Sequence, residues 1–203
     1  MMLPAGRRQR GCGRGLVRRE RKSSLCARRS IFMRTRKAIL PDAQQIYELI
    51  SGYSGDGTLL PRTLAEICEN VRDFVVLENE GRIIGCGALH LYGTHLAEIR
   101  SITVGPRAQG QGGGSRLMKA LLAEAKRHRV DCICLFTRAP EFFARQGFEM
   151  ARREDLPDKI YKDCHVCPRF YNCDEVAMVR GKLPTFAILP EPANWLVKIQ
   201  AQQ

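Results

Sequence analysis

Hydrophobic and polar positions along the chain follow two periodicities, one typical of strands and one typical of helices. The apolar-rich run from Ile99 to Val104 predicts a buried strand, and a turn at Gly105-Pro106 and a glycine-rich loop follow it. Apolar residues then recur at helical spacing, which predicts a helix with one buried face. The residues of that face are Leu117, Met118, Leu121, Leu122 and Ala125.

The same reasoning predicts further elements on both sides of this unit. Upstream it predicts a strand over 33–40, a helix after Pro41-Asp42, a helix after the N-cap Thr63, and a hairpin of strands 74–78 and 82–91. Downstream it predicts a strand over 131–137, a helix from Pro140 to Gly147 and a closing strand over 173–179. The order indicates a mixed α/β sheet flanked by helices. One domain over 33–180, with a Cys-rich segment at 163–174, would then be followed by a C-terminal tail at 181–203.

The glycine-rich loop is the first candidate binding site. It reads Arg107-Ala-Gln-Gly110-Gln-Gly112-Gly113-Gly114, and glycines let the backbone approach a ligand because no Cβ intervenes. Free amides and the positive dipole end of the following helix favour a phosphate-bearing ligand. A nucleotide P-loop needs Lys and then Ser or Thr after its last glycine, which Ser115-Arg116 does not supply. A dinucleotide fingerprint belongs near the first strand. A glycine-rich turn without a ligand is the structural alternative.

The net charge of +12 is concentrated at the N-terminus. Residues 1–32 contain ten of the 33 basic residues but only one of the 21 acids, so the rest of the chain is close to neutral. The segment is rich in Arg, Gly and Ser without apolar periodicity, and we expect a disordered extension. It fits a nucleic-acid-binding arm, a transit peptide or a mis-called start upstream of Met33. It has no clear apolar region of a secretory signal.

Cysteine usage and hydropathy predict the compartment. The nine cysteines are scattered and odd in number, which is typical of a reducing cytosol rather than of a disulfide framework. No apolar run approaches the roughly 20 residues that a membrane-spanning helix needs. We therefore expect a cytoplasmic protein without a membrane partner.

The loop and the strand before it resemble a known ligand site. The motif Arg-x-x-Gly-x-Gly directly follows Val-Gly-Pro at the end of the predicted strand. This motif in this position resembles the acyl-coenzyme A loop of the GNAT N-acetyltransferases. This resemblance implies their α/β fold, in which a mixed, mostly antiparallel sheet splays open beside the loop and leaves a cleft for acetyl-CoA as co-substrate. It also implies the cofactor-binding residues Ile102, Val104, Arg107, Gln109, Gly110, Gln111, Gly112, Gly113, Gly114 and Ser115.

Four segments resemble one branch of that superfamily, the short-form N-acetylglutamate synthases. They are LLPRT at 59–63, AEIRSITV at 97–104, LFTRAPEFFARQGF at 135–148 and LPDKIYKDCHVCPRFYNCDEVAM at 156–178. The resemblance implies acetyl transfer from acetyl-CoA to the α-amine of L-glutamate, the first step of arginine biosynthesis. Another amino acid or small amine is the alternative acceptor, and a non-catalytic module that binds nucleic acid or a partner through the basic arm is the alternative of another class. For the enzyme we expect an amino-acid substrate and no nucleic acid, and a homodimer is compatible with the sequence.

The chemistry of that reaction assigns roles to charged residues. An ammonium is not nucleophilic, so a base must remove its proton directly or through water, and Glu98 lies on the strand that leads into the loop. Arg100 projects from the same strand face because it lies two residues further. A dicarboxylate substrate needs fixed cations, and the resemblance places Arg62 against a substrate carboxylate. The other candidate substrate contacts are Leu60, Arg100, Thr137, Arg138 and Lys159. Surface salt bridges are the alternative for Glu98 and for these cations.

The departing thiolate must be stabilised or protonated. Many relatives place a tyrosine hydroxyl within Phe-Tyr-x-x-x-Gly-Phe, whereas this chain reads Phe142-Phe143-Ala-Arg-Gln-Gly147-Phe148. The usual general acid is therefore absent. We expect Tyr161 in its place, with Tyr171, Lys162 or no acid at all as the alternatives.

A cysteine cluster follows the last predicted helix. Cys164, Cys167 and Cys173, with His165, lie within ten residues, and a CxxC hairpin is a common half-site for zinc. Cys164, Cys167 and Cys173 are the candidate ligands of a structural Zn²⁺, although His165 inside the loop would normally point away from the metal. An iron–sulfur site, a redox pair, or reduced cysteines packing a small C-terminal segment are the alternatives.

Overall fold

A seven-stranded mixed sheet forms the centre of the molecule in the computed structural model, which describes residues 32–55, 59–106, 108–188 and 196–198. The strands are β1 (Arg34–Lys37), β2 (Phe74–Asn79), β3 (Arg82–Leu91), β4 (Ala97–Val104), β5 (Cys132–Thr137), β6 (Glu149–Met150) and β7 (Val176–Gly181). They lie in the order β1-β2-β3-β4-β5-β7-β6. The pairing of β4 with β5 is parallel and the other pairs are antiparallel, which confirms the predicted mixed, mostly antiparallel α/β fold.

Five helices cover this sheet in the described parts of the chain. They are α1 (Ala43–Ser54), α2 (Leu64–Glu69), α3 (Gly113–Arg127), α4 (Pro140–Ala144) and α5 (Pro157–Lys162). The apolar face of α3 packs with inward residues of β2, β4 and β5 in the largest core cluster. A second cluster joins α1 and α2 to β2 and β3. No described helix combines the length and the apolar character that crossing a membrane would require.

Local sequence signals explain several element boundaries. The Thr63 hydroxyl accepts the amide of Glu66 at 3.2 Å, and the Glu66 carboxylate accepts the amide of Thr63 at 2.7 Å, so the predicted capping box begins α2. Glu80 and Gly81 form the β2–β3 turn with φ of 50° and 75°. Strand β3 has the predicted bounds. Strand β1 is shorter than predicted because a 3₁₀ turn already begins at Leu40, before the proline.

The two central strands β4 and β5 separate after their first residues. They pair only at Ala97 with Ile133 and at Glu98 with Cys134, although both strands continue well beyond these positions. The sheet is therefore open between the C-terminal halves of β4 and β5. This is the splayed geometry that the resemblance implied.

The segment after β6 contains structure that periodicity does not predict. Helix α5 is only six residues long, and the short strands β8 (Phe186–Ile188) and β9 (Leu196–Lys198) form a separate two-stranded sheet. The amide of Ile188 donates to the Asp158 carboxylate at 2.8 Å, which joins β8 to α5. The expectations for residues 1–31 lie outside the described residues.

Candidate active site

A cavity of about 670 Å³, here called the large cavity, occupies the opening between β4 and β5. Its walls are residues 99–104 of β4, residues 108–110 and 112–115 of the glycine loop and helix, and residues 135–139 from the end of β5. Of the predicted cofactor-binding residues, it is lined by Ile102, Val104, Gln109, Gly110, Gly112, Gly113, Gly114 and Ser115. Gln111 is not among its lining residues, and Arg107 lies outside the described residues.

The glycine loop brings the start of α3 to the wall of this cavity. Gly110 and Gly112 have φ of 70° and 80°, a left-handed conformation that favours glycine. Helix α3 begins at Gly113 without a side-chain cap, so amides of its first turn lack an intrahelical acceptor. A 15-residue helix also directs the positive end of its dipole to this wall. The wall is therefore suited to a pyrophosphate.

Hydrogen bonds between α1 and β4 brace the loop. The Tyr53 hydroxyl donates to the carbonyl of Val104 at 3.0 Å. The side-chain amide of Gln109 donates to that same carbonyl at 2.9 Å and to the Tyr53 oxygen at 3.0 Å. Gln109 is thus used to position the loop, and Tyr53 also lines the large cavity.

A β-bulge shapes the middle of β4. Cys86 and Ala88 of β3 oppose Thr103 and Arg100, so Gly87 faces two residues, Ser101 and Ile102. Ser101 has φ of 52°, an uncommon conformation for a serine. The bulge removes Ser101 and Ile102 from regular pairing, and both residues line the large cavity.

A second cavity of about 280 Å³, the small cavity, adjoins the first. Arg100 and Ser101 line both cavities, so β4 forms their common wall. The small cavity is otherwise lined mainly by charged and polar side chains. They include Arg62, Glu66, Glu69, Asn70, Lys162 and Asp163.

Five buried charged side chains form one ion-pair network at the small cavity. Lys159 Nζ lies 2.7 Å from Glu98 Oε1 and 2.8 Å from Asp163 Oδ2. Arg100 Nη1 and Arg62 Nη2 lie 3.5 Å and 3.7 Å from the same Asp163 oxygen. Each of these side chains is at most 16% exposed. These five buried side chains, three cations and two carboxylates, carry one net positive charge, and the exposed Glu66 lies 4.0 Å from Arg62 at the edge of the network.

The network fixes the charge state of its central members. Burial alone would lower the pKa of Lys159, but the negative charges of Glu98 and Asp163 outweigh burial and raise it. Burial would likewise raise the pKa of Asp163, but Lys159, Arg62 and Arg100 outweigh it and lower the pKa. Lys159 is therefore protonated and Asp163 ionised at neutral pH.

Glu98 is fully enclosed by its partners. Glu98 is 2% exposed and lines neither the large nor the small cavity. Besides the Lys159 contact, its second oxygen accepts the Tyr92 hydroxyl at 2.8 Å. Burial, and then the charge of Glu98, raise the pKa of Tyr92, so this hydroxyl stays protonated. Glu98 and Arg100 share one strand face, as alternation predicted, but Glu98 has no oxygen free to contact a substrate directly.

The other predicted substrate contacts lie in different surroundings. Arg138 and Thr137 line the large cavity. Arg138 pairs with Asp174 at 2.8 Å, and this hydrogen bond raises the pKa of Arg138, while the Thr137 hydroxyl accepts the amide of Ala139 at 2.9 Å. Leu60 lines neither cavity, although its neighbour Leu59 lines the large one.

The predicted proton donor is not at the cavities. Tyr161 is 50% exposed and Tyr171 is 92% exposed, and neither lines the large or the small cavity. Phe143 is buried and lines the large cavity, so an apolar ring occupies the place of the expected hydroxyl. Tyr161 therefore does not reach the opening between β4 and β5 in this structure. Lys162 does line the small cavity.

The predicted zinc ligands are not assembled into a metal site. Within the described residues, no group of three or more His, Cys, Asp or Glu side chains is placed to hold a metal ion. Cys164 begins a 3₁₀ turn that ends before Cys167, and a second 3₁₀ turn separates Cys167 from Cys173. Cys164 is buried, Cys167 and Cys173 are half-buried, and all three are free thiols.

Sequence reasoning missed two residues of the site. Asp163 connects three of the predicted cations, and Tyr92 holds Glu98. The i,i+4 spacing of Lys159 and Asp163 could have predicted their pairing on one helix face. No local signal connects Tyr92 with Glu98, because their contact depends on how the β3–β4 connection folds back.

A mixed sheet that opens beside a glycine loop and a helix N-terminus is the arrangement that the resemblance to the acyl-CoA-dependent GNAT transferases implied. In agreement, residues 41–148 match the family described as acetyltransferase (GNAT) family. An N-acetyltransferase of Chlorobaculum tepidum, itself described as uncharacterized, is 38% identical over 145 residues, which cover 71% of this chain and 94% of that protein. The chain belongs to the GNAT acetyltransferase family, and acetyl-CoA fits its large cavity as co-substrate.

Two further relatives carry more specific names. The amino-acid acetyltransferase of Ralstonia nicotianae is 37% identical over 62% of this chain and 29% of that protein. N-acetylglutamate synthase from Neisseria gonorrhoeae, solved with coenzyme A and N-acetyl-glutamate, matches with a TM-score of 0.67 at 28% identity. That match covers 74% of this chain and 35% of the solved chain. The chain thus spans about a third of the length of these two relatives.

Proposed function

We propose that this protein transfers the acetyl group of acetyl-CoA to the α-amine of L-glutamate. The observation that carries the proposal is the pair of adjoining cavities, one beside the glycine loop and one lined by Arg62 and Arg100. Because Arg100 and Ser101 line both, a thioester in the large cavity and an acceptor in the small one would meet at β4. The relatives named amino-acid acetyltransferase and N-acetylglutamate synthase support this assignment.

Charge balance supports an acidic amino acid as the acceptor. The five buried members of the network carry one net positive charge, which the solvent-exposed Glu66 offsets only in part. Arg100 Nη1 is buried without a hydrogen-bond partner among the described residues. Glutamate carries one net negative charge at neutral pH, so its binding would neutralise the network and supply acceptors for the guanidinium donors. A neutral amino acid would leave the positive charge uncompensated in a poorly solvated site.

The proposed reaction requires removal of a proton from the acceptor ammonium. Glu98 is the proposed final proton acceptor, and Tyr92 and Lys159 already occupy its oxygens. Neither Glu98 nor Tyr92 lines a cavity. The proton therefore reaches Glu98 by relay through water, either directly or with the Tyr92 hydroxyl as the last step, which would donate its own proton to Glu98 and take one from that water. The neutral amine then attacks the thioester carbonyl, and the C–S bond breaks. The leaving thiolate of coenzyme A takes up the second proton that the nitrogen loses, directly or through water, without a tyrosine donor at position 143.

A thiol-release assay with acetyl-CoA and a panel of amino acids tests the proposal. We expect glutamate to give the highest kcat/KM. Replacing Arg62 with Ala should raise the KM for glutamate about tenfold or more with a smaller effect on kcat, because it removes a carboxylate partner. Arg72→Ala is the matched control, since Arg72 is exposed on the turn after α2 and lines neither cavity. A clear preference for another amine would overturn glutamate as the acceptor but not the family.

A second acceptor class has one observation in its favour. Glu66, Glu69 and Asp163 also line the small cavity, and these carboxylates favour an acceptor without an acidic side chain. A neutral amino acid or a small amine is therefore the alternative substrate. The same panel separates the two, because these acceptors would outrank glutamate and would not depend on Arg62.

A further inference from the structure

Asp163 is a buried carboxylate between the cations of the small cavity, whereas the other two carboxylates of that cavity, Glu66 and Glu69, are exposed. Its side chain is 12% exposed and lines the small cavity together with Arg62 and Arg100. Asp163 compensates the charges of Lys159, Arg100 and Arg62. It also repels carboxylates of a ligand in the small cavity, because like charges repel each other strongly where water is scarce, and it attracts a positively charged group there.

The hydrogen bonds of Asp163 leave one of its oxygens available. Oδ2 of Asp163 accepts the hydrogen bond from Lys159. The same oxygen is the Asp163 atom closest to Arg100 and to Arg62. The two arginine distances, 3.5 and 3.7 Å, exceed the range of a hydrogen bond. Oδ1 makes no hydrogen bond to any residue in the described ranges. An ionised carboxylate can accept on both oxygens, so Oδ1 can take a further donor.

We propose that Asp163 binds the α-ammonium of the acceptor and thereby selects amino acids over carboxylates that lack an amine. The inference deepens the proposed function and rests on it. In an amino acid the ammonium and the α-carboxylate are attached to one carbon, so the protein groups that bind them must be neighbours of opposite charge. Asp163 Oδ2, 3.5 Å from Arg100 and 3.7 Å from Arg62, meets that requirement.

Two consequences distinguish this role from a purely structural one. Removing the negative charge of Asp163 should weaken binding of the amino acid, because its ammonium loses a partner. The same change should strengthen binding of an analogue without an amine, because the analogue's carboxylates then approach Arg62 and Arg100 without repulsion. A structural defect would weaken both ligands together.

The test compares glutamate with glutarate, the diacid that lacks the amine, in the thiol-release assay. In Asp163→Asn, we expect the KM for glutamate to rise at least tenfold and the inhibition constant of glutarate to fall at least threefold. The KM for acetyl-CoA should stay within twofold. Asp155→Asn is the matched control, because Asp155 pairs with Arg152 on a neighbouring turn and lines neither cavity. It should change none of the three constants.

A charge-conserving variant keeps the test decisive. Asp163→Glu retains a carboxylate and should keep the preference of the wild type for glutamate over glutarate, even if turnover falls. The inference is overturned if glutamate and glutarate constants move in the same direction in Asp163→Asn, or if Asp163→Glu loses the preference as well. A wild type that acetylates only amines without a carboxylate overturns the proposed function itself, and the inference with it.

Discussion

Lys159 is the residue that holds the charges of the site together. It bridges Glu98 and Asp163 at 2.7 and 2.8 Å and is almost completely buried. Removing one member of a buried ion pair typically costs about 3–5 kcal/mol, because the partner charge stays behind without compensation. Lys159 therefore acts on two partners at once: it neutralises Glu98 and it positions Asp163 against the arginines.

At the same scale, Glu98 provides the first prediction for turnover. Replacing Glu98 with Gln removes the proposed final proton acceptor while keeping an acceptor oxygen for the Tyr92 hydroxyl. We expect kcat to fall by about 10²- to 10⁴-fold, with the KM for acetyl-CoA little changed, because general-base catalysis contributes at that level. Steady-state thiol release measures both constants.

The control for Glu98→Gln is the same substitution at a second buried glutamate that lies away from both cavities. Glu124 on α3 pairs with Lys37 at 2.9 Å and lines neither cavity, so Glu124→Gln should leave kcat unchanged. A Glu98→Gln enzyme that keeps the wild-type kcat and its melting temperature would remove Glu98 from the mechanism. The proton would then have to leave through another group.

The sequence predicts the place of some residues in the site but not of others. Arg62 and Arg100 follow from the resemblance and from strand alternation, and both do line the small cavity. The Thr63 capping box is a signal carried within four residues, so the sequence predicts it without any tertiary information. Asp163 and Tyr92 act through contacts that form only after α5 and the β3–β4 connection have packed, and no short pattern encodes that packing.

At the scale of elements, α5 is held to the domain by contacts between residues far apart in sequence. Asp158, 1% exposed, accepts the Ile188 amide and lies 3.1 Å from His95 Nε2 in the β3–β4 connection. The His95 ring packs against Phe186, with ring centroids 4.4 Å apart. A six-residue helix has little intrinsic stability in isolation, so these contacts and the Lys159 ion pairs determine where α5 lies.

The start of α3 gives a prediction for cofactor binding. Gly112, the residue before this helix, has φ of 80° and lines the large cavity. A Cβ at this position meets no neighbouring atom, so the cost of Gly112→Ala is conformational, about 1–2 kcal/mol. We expect the variant to lower the melting temperature by a few degrees and to raise the KM for acetyl-CoA severalfold, because the first-turn amides shift.

Gly52 in α1 is the matched control for that substitution. Its backbone is not left-handed and a Cβ there also meets nothing within 4 Å. Because alanine favours helix over glycine by roughly 0.5–1 kcal/mol, Gly52→Ala should raise the melting temperature slightly and leave the KM for acetyl-CoA unchanged. Equal effects of the two variants would contradict the role assigned to the left-handed turn.

At the scale of the whole molecule, the site depends on segments that are distant in sequence. Arg62 precedes α2, Arg100 lies on β4, and Asp163 follows α5, so about a hundred residues separate the first from the last. The mixed sheet was predictable because hairpins and helices leave periodic patterns within short windows. The closing segment after β6 was not, since short helices, 3₁₀ turns and β8 have too few residues to show a period.

The stability of the whole fold should depend on pH through carboxylates that are ion-paired in the folded state. Arg36 hydrogen-bonds Asp42 at 2.6 and 2.9 Å and thereby lowers the pKa of Asp42 below its ordinary value. A carboxyl whose pKa is lower in the folded state stabilises the fold above its unfolded pKa of about 3.9, and this contribution is lost as the pH falls through the folded pKa. Thermal unfolding should therefore show a wild-type melting temperature that declines below about pH 4.

The variant Asp42→Asn separates this contribution from the rest. It should melt below the wild type at neutral pH, because Arg36 no longer has a negatively charged partner. The gap should shrink as the pH falls through the lowered pKa of Asp42, below which this carboxyl is protonated in the wild type too. Asp131→Asn, at an exposed acid beside β5, is the control and should melt with the wild type at neutral pH. A gap between Asp42→Asn and wild type that stays constant across the acid range would mean that the side chain acts through packing, and that its charge contributes nothing to the fold.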